Sequence, residues 1–135
     1  MVMHELRNPL VAAGADTVLA EVSGDSVFTE QCPSRTLLTH VTNKWGTLVI
    51  LALAAGTLRW SELSRAVGGI SEKMLAQTLR TLEADGVVRR DARPVVPPFV
   101  EYSLTDSGAE LSRLLIPLVQ WVAAHASENQ QPAGN

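Results

Sequence analysis

The stretch "GGISEKMLAQTLRTLEADGVVRRD", residues 68–91, decides the fold. Two glycines open it, a helix-like pattern follows, and Gly86 closes that pattern just before the basic pair Arg89 and Arg90. With the side-chain rotation of an α-helix, Leu75, Thr78, Leu79 and Leu82 share one side. Lys73, Gln77, Arg80 and Ala84 share the other. Ser71 is a good N-cap, and Glu72 stands in the positive first turn. The residue three beyond Ser71 is Met74, so no capping box forms. The spacing predicts one helix from Ser71 to Asp85, stopped by Gly86.

The elements around this helix follow from the same rules. Trp60, Leu63 and Val67 lie at spacings of three and four, which predicts a short helix joined to the next by the tight turn "GGI". Upstream, an apolar helix is expected over Lys44 to Ala55, with Gly56 as its stop. Another is expected from Cys32-Pro33-Ser34, because proline fits a first helical turn; Leu37, Leu38, Val41 and Trp45 recur at helical spacing. Downstream, "VVRRDAR" and "FVEYSL" have strand composition, and "PVVPP" between them makes a stiff tip. "LTDSG" opens a last helix with Thr105 or Asp106 as cap, and Pro117 inside it predicts a kink. Residues 1–31 are compatible with a short helix, a strand or a partly ordered arm. Residues 128–135 form a polar tail.

Composition bounds the class. The 135 residues are 46% hydrophobic and 19% charged, which suits one globular domain spanning 32–127 with its N-terminal arm. The longest strongly apolar run, "LVILALAAG", is too short to cross a membrane, and no basic leader precedes an apolar block. A cytoplasmic location, with no membrane partner, is the expectation. One cysteine excludes an intramolecular disulfide and a zinc site built on several thiolates, and the three histidines lack ligand spacing. No metal or cofactor is expected. An enzyme is not expected either: paired carboxylates with a histidine and a phosphate-binding glycine loop are both missing. The net charge is −3, yet residues 57–93 hold seven basic against five acidic side chains. The acid lies mainly in residues 1–31, where Arg7 stands against Glu5, Asp16, Glu21, Asp25 and Glu30. A local basic face is what phosphate contacts need.

Helix, tight turn, helix and hairpin, in that order, describe a winged helix-turn-helix of α+β, mainly α class, with a two-stranded β-wing. Its second helix must pack on one face and offer donors on the other to enter a DNA major groove. An ordinary solvated face is the alternative for Lys73, Gln77 and Arg80, but the preceding short helix, tight turn and basic hairpin weigh against it.

The chain resembles the HxlR-type family of bacterial winged helix-turn-helix transcription regulators, relatives of the MarR-like group. The resemblance rests on "CP" at 32, "KW" at 44, "LRWSEL" at 58, "GISEKMLAQTLRTLEADGVVRR" at 69, "VPPFVEYSLTDSG" at 96, and Pro117 with Trp121. It implies a dimeric, DNA-binding, non-enzymatic protein acting on a palindromic double-stranded operator as a repressor. It places Ser71, Lys73, Met74, Gln77 and Arg80 on the recognition helix. Lys73 and Arg80 are read as phosphate or guanine contacts, and Gln77 as an adenine reader. Ser71 serves as cap and phosphate donor, and Met74 as core or thymine-methyl contact. Two departures stand out. Family wings often carry a basic residue after the paired prolines, where this chain has Phe99, and often an aromatic in place of "DAR". The wing then relies on Arg89, Arg90 and Arg93. Arg59 and Arg65 either touch the backbone or pair with Glu62.

The last helix has more apolar surface than a small domain covers. Leu111, Leu114, Leu115, Leu118, Val119 and Val122 are therefore read as a homodimer interface. Cys32 sits at a helix start, where amide dipoles favour the thiolate, with Arg35 one turn away. Two readings stay open for it: a switch set by oxidants or electrophiles, as the resemblance implies, or a buried inert thiol. Two rival functions also stay open. One is a regulator sensing a small molecule in a pocket lined by Trp45, Trp60 and Trp121. The other is a winged helix used for protein–protein contact.

Overall fold

The computed structural model describes residues 32–129. The expected N-terminal arm, residues 1–31, lies outside them, as do the last six residues of the polar tail. The boundary between the chain's two units falls after Thr39, within the first helix. The elements are α1 (Pro33–Thr42), α2 (Lys44–Ala54), β1 (Leu58–Arg59), α3 (Trp60–Ala66), α4 (Glu72–Ala84), β2 (Val88–Arg93), β3 (Phe99–Leu104) and α5 (Asp106–Asn129).

The helices begin and end where the caps place them. Asn43 caps α2, its side-chain oxygen accepting from the Gly46 amide at 2.9 Å. Ser71 caps α4 by accepting from the Met74 amide at 3.0 Å. Such a cap is worth about 1 kcal/mol. At the other end of α4, Gly86 takes φ +79°. That left-handed turn lets the Gly86 and Val87 amides bond back to Glu83 and Leu82 at 3.0 and 2.9 Å. Leu82 and Val87 are both buried, the apolar contact that accompanies this type of helix end.

The sheet has three strands in the order β1-β3-β2, all antiparallel. The sequence reading expects two. The extra strand is only Leu58–Arg59, pairing with Tyr102 and Glu101, and two residues are too few for a period to show. The core of the second unit draws on every layer. Val49, Ile50 and Leu53 come from α2, Leu63 from α3, Leu75, Leu79 and Leu82 from α4, Tyr102 from β3 and Leu115 from α5. Fully burying each of the leucines is worth about 1.5–3 kcal/mol.

α5 starts on a hydroxyl junction. The Thr105 hydroxyl accepts from the Gly108 amide at 3.0 Å and donates to the Gly86 carbonyl at 2.6 Å. One side chain therefore caps α5 and holds the exit of α4. The helix continues across Pro117, so the expected kink does not end it, and it runs to Asn129, into the segment expected as tail.

Gly108 packs against the chain leaving α4. A β-carbon there would fall on the Val87 carbonyl oxygen, well inside contact distance. Gly108→Ala should lower stability by about 1–3 kcal/mol, although alanine is the better helix former. Thermal unfolding should show Tm falling by about 4–8 °C for each kcal/mol lost. An unchanged or raised Tm would mean that α5 moves off Val87 freely.

Candidate nucleic-acid interface

α4 is amphipathic in the sense the sequence predicts. Leu75, Thr78, Leu79 and Leu82 are buried, whereas Lys73, Gln77, Arg80 and Ala84 are exposed. Met74 is half-buried and packs on the core. Neither Lys73 nor Arg80 has an ion-pair partner among the described residues. The docking of α4 is fixed at both ends. Ser71 holds its start, and Asp85 at its end meets His40 Nδ1 at 2.8 Å. A helix so held presents its outer row as a rigid set of donors.

Two clefts flank α4. On one side a cleft of about 490 Å³ lies between Met74, Gln77 and Thr81 and the start of α2 at Asn43, Lys44 and Trp45. The Lys44 ammonium sits 4.3 Å from the Trp45 ring centre. On the other side a cleft of about 410 Å³ separates Arg80 and Glu83 from Arg90 and Tyr102 of the sheet, with Trp60 in its lining. Arg80 and Arg90 thus border one opening, a cation from the helix and a cation from the wing.

The wing arginines do not act as one group. Strand side chains alternate between faces. Val88, Arg90 and Ala92 stand opposite Leu104, Tyr102 and Val100, and Val88 and Tyr102 are buried. That face is the inner one. Arg89, Asp91 and Arg93 stand opposite Ser103, Glu101 and Phe99 on the outer face. The period-two rule would have separated Arg89 from Arg90 in the sequence itself.

Phe99, the departure at the wing, carries two cations. The Arg59 guanidinium lies 4.4 Å from its ring centre and the Arg93 guanidinium 4.6 Å. Arg93 also approaches Asp91 at 3.5 Å. The Glu62 carboxylate accepts from the backbone N–H of Arg59 at 2.8 Å, the helix-start role of an acidic third residue.

The apolar face of α5 is divided. Leu115 is 5% exposed and belongs to the chain's own core, and Leu111 packs half-buried against it. Neither is available as an interface residue in the way the sequence reading expects, because the start of α5 docks on the wing and α2. Val119 is half-buried. Leu114 (70%), Leu118 (51%) and Val122 (47%) remain exposed, joined by Trp121 (60%). Trp121 is therefore not a core residue; its ring stacks on His125 at 4.1 Å. The three tryptophans are not brought together: Trp45 lines one cleft, Trp60 the other, and Trp121 faces outward. Cys32, just ahead of α1, is 6% exposed. Among the described residues no helix is long and apolar enough to span a membrane, and no group of three ligating side chains could hold a metal.

Helix, turn, recognition helix and β-wing, with an outward basic row on the second helix, define a winged helix-turn-helix regulator rather than an enzyme. The HxlR-like helix-turn-helix family matches residues 40–130, and the chain belongs to that family. It is 52% identical over 103 residues to the HTH-type transcriptional regulator YtfH of Escherichia coli (strain K12), covering 76% of this chain and 82% of that one. Among solved structures, the transcriptional regulator ytfH from Salmonella typhimurium superposes with a TM-score of 0.74 at 49% identity, covering 78% and 95% of the two chains. The oxidised form of the redox regulator HypR superposes with a TM-score of 0.63 at 35% identity, covering 69% and 96%.

Proposed function

We propose that this regulator acts as a homodimeric repressor that reads a palindromic operator with α4. The observation that carries the proposal is the row Lys73, Gln77 and Arg80, exposed on a helix whose opposite face is buried and whose two ends are tied down. A helix placed in the major groove along that row offers two cations to phosphate or guanine and one amide to adenine. Ser71 adds a phosphate contact at the helix start, and Met74 reaches a thymine methyl at the groove edge. Arg90, across the cleft from Arg80, takes the backbone strand that passes between helix and wing. Arg89 and Arg93 supply charge from the outer face. The exposed stripe of α5 pairs with its copy about a two-fold axis, which sets two recognition helices one turn of DNA apart. Bound there, the dimer would block transcription by occupying the promoter.

The proposal also gives Cys32 a regulatory role. The redox name of HypR supports this reading, and the burial of Cys32 sets its condition: the segment ahead of α1 must open before the thiol reacts. Oxidation there would then move α1 and shift the two recognition helices off a fixed half-site spacing.

One experiment tests both levels. Duplexes selected by the wild-type protein from a random pool should contain an inverted repeat with half-sites centred about 10 base pairs apart, or a multiple of that. Diamide should release wild type from the selected duplex and leave Cys32→Ser bound. Release of both proteins, or of neither, would remove Cys32 from the mechanism and favour a small-molecule effector. Failure to enrich any sequence, with capture of a stable protein partner, would favour the protein–protein reading.

A further inference from the structure

The outer face of the sheet holds an arrangement that the family pattern does not account for. Arg59, on the edge strand β1, and Arg93, at the end of β2, both rest on the ring of Phe99. By those two distances the guanidiniums lie no more than about 9 Å apart. They come from opposite edges of the sheet, since β3 with Phe99 runs between β1 and β2. Two like charges drawn together on one ring repel each other unless an anion joins them. Their printed company on this face is Asp91, 3.5 Å from Arg93, and Glu101, cross-strand from both Arg59 and Asp91. Asp91 is half exposed and approaches Arg93 alone. Glu62, which could have neutralised Arg59, is instead bonded to its backbone amide.

A guanidinium stacked on an aromatic ring spends its flat face there and keeps its N–H edge free. That edge is the part that forks the oxygens of a phosphate. Arg93 stands three residues along β2 from Arg90, about 10 Å nearer the tip at strand rise. A backbone strand running past Arg80 and Arg90 therefore meets this second pair further out along the wing. A nearby cleft lined by Arg59, Arg65 and Ser61, with Pro98 at its rim, adds a third cation and a hydroxyl to the same approach.

We propose that Phe99 is a positioning residue that holds Arg59 and Arg93 as a paired clamp on the phosphodiester backbone flanking each half-site. Phe99 itself does not touch DNA. It replaces the basic residue that related wings often carry at this place, moving the charge from the tip to its two neighbours. The proposal rests on α4 reading DNA and adds Arg59 and Phe99 to the interface.

The test is the salt dependence of binding by the full-length dimer to the duplex that the wild-type protein selects. Each phosphate contact contributes about 0.9 to the slope of log K against log salt. Phe99→Leu, which keeps an apolar side chain but no ring face, should flatten the slope by about 1–2 and leave the preferred sequence unchanged. Phe99→Trp should restore the wild-type slope. Arg59→Gln should flatten the slope in wild type and change little in the Phe99→Leu background. A wild-type slope in Phe99→Leu, with a melting curve showing it folded, overturns the clamp. So does a flattened slope that Trp fails to rescue. Where Lys73→Ala with Arg80→Ala weakens binding and Phe99→Leu does not flatten the slope, the clamp alone fails. Where wild type shows no salt-dependent DNA binding, the reading of α4 fails and the clamp with it.

Discussion

Replacing Lys73 and Arg80 together by alanine should remove sequence-specific DNA binding while leaving the fold intact. Both side chains are exposed and neither has an ion-pair partner among the described residues, so little stability depends on them. Alanine is also the best helix former, which offsets any small loss. A bidentate contact to guanine is worth about 1–3 kcal/mol. Two such contacts per half-site lost together weaken binding by roughly 30-fold to more than 10,000-fold. If either residue meets phosphate instead, the loss appears in the salt slope, about 0.9 for each contact. Thermal unfolding close to wild type, alongside a lost gel shift on the selected duplex, is the expected pair of observations. A variant that unfolds as readily as it loses DNA would show that these cations stabilise the helix.

The second large effect is expected on α5. Leu118→Glu places a carboxylate in the middle of the exposed stripe formed by Leu114, Leu118, Trp121 and Val122. In a two-fold dimer the change enters twice, and each charge is buried without a partner. Breaking the compensation of a buried charge costs about 3–5 kcal/mol, which converts to a dimer weaker by roughly 100-fold to several thousand-fold. Sedimentation should show monomers at concentrations where wild type is dimeric, and affinity for a two-half-site duplex should fall with it. Leu118 is outside the chain's own core, so the monomer should stay folded. Dimers of undiminished stability would move the interface elsewhere. Leu115→Glu is the contrasting change: it strikes the core of the chain itself and should unfold it.

Much of this arrangement can be read from the sequence where a single local rule applies. Ser71 and Gly86 bound α4, and helical periodicity separates Leu75, Leu79 and Leu82 from Lys73, Gln77 and Arg80, because each of these depends on residues a turn or less apart. What the sequence hides depends on contacts between distant segments. β1 is too short for a pattern, so its pairing with β3 is invisible before the chain folds. Arg59 and Arg93 are 34 positions apart in the sequence, and only the sheet order brings both to Phe99. The same holds for His40 and Asp85, and for Thr105 and Gly86. The stripe on α5 fails for a different reason. Its apolar arc is wide enough to serve two surfaces, and periodicity cannot say which half the chain keeps. Leu111 and Leu115 go to the core, while Leu114, Leu118 and Trp121 are left outside.

The most direct test of α4 as the reading helix is the ratio of affinity for the selected duplex to affinity for a scrambled duplex of equal length. It should be measured at one salt concentration for wild type and for Lys73→Ala with Arg80→Ala. Wild type should prefer the selected duplex by roughly 1,000-fold or more, as specific regulators do. The double variant should lose most of that preference while keeping weak, salt-sensitive binding through the wing. A variant that keeps the full preference would contradict the assignment of α4.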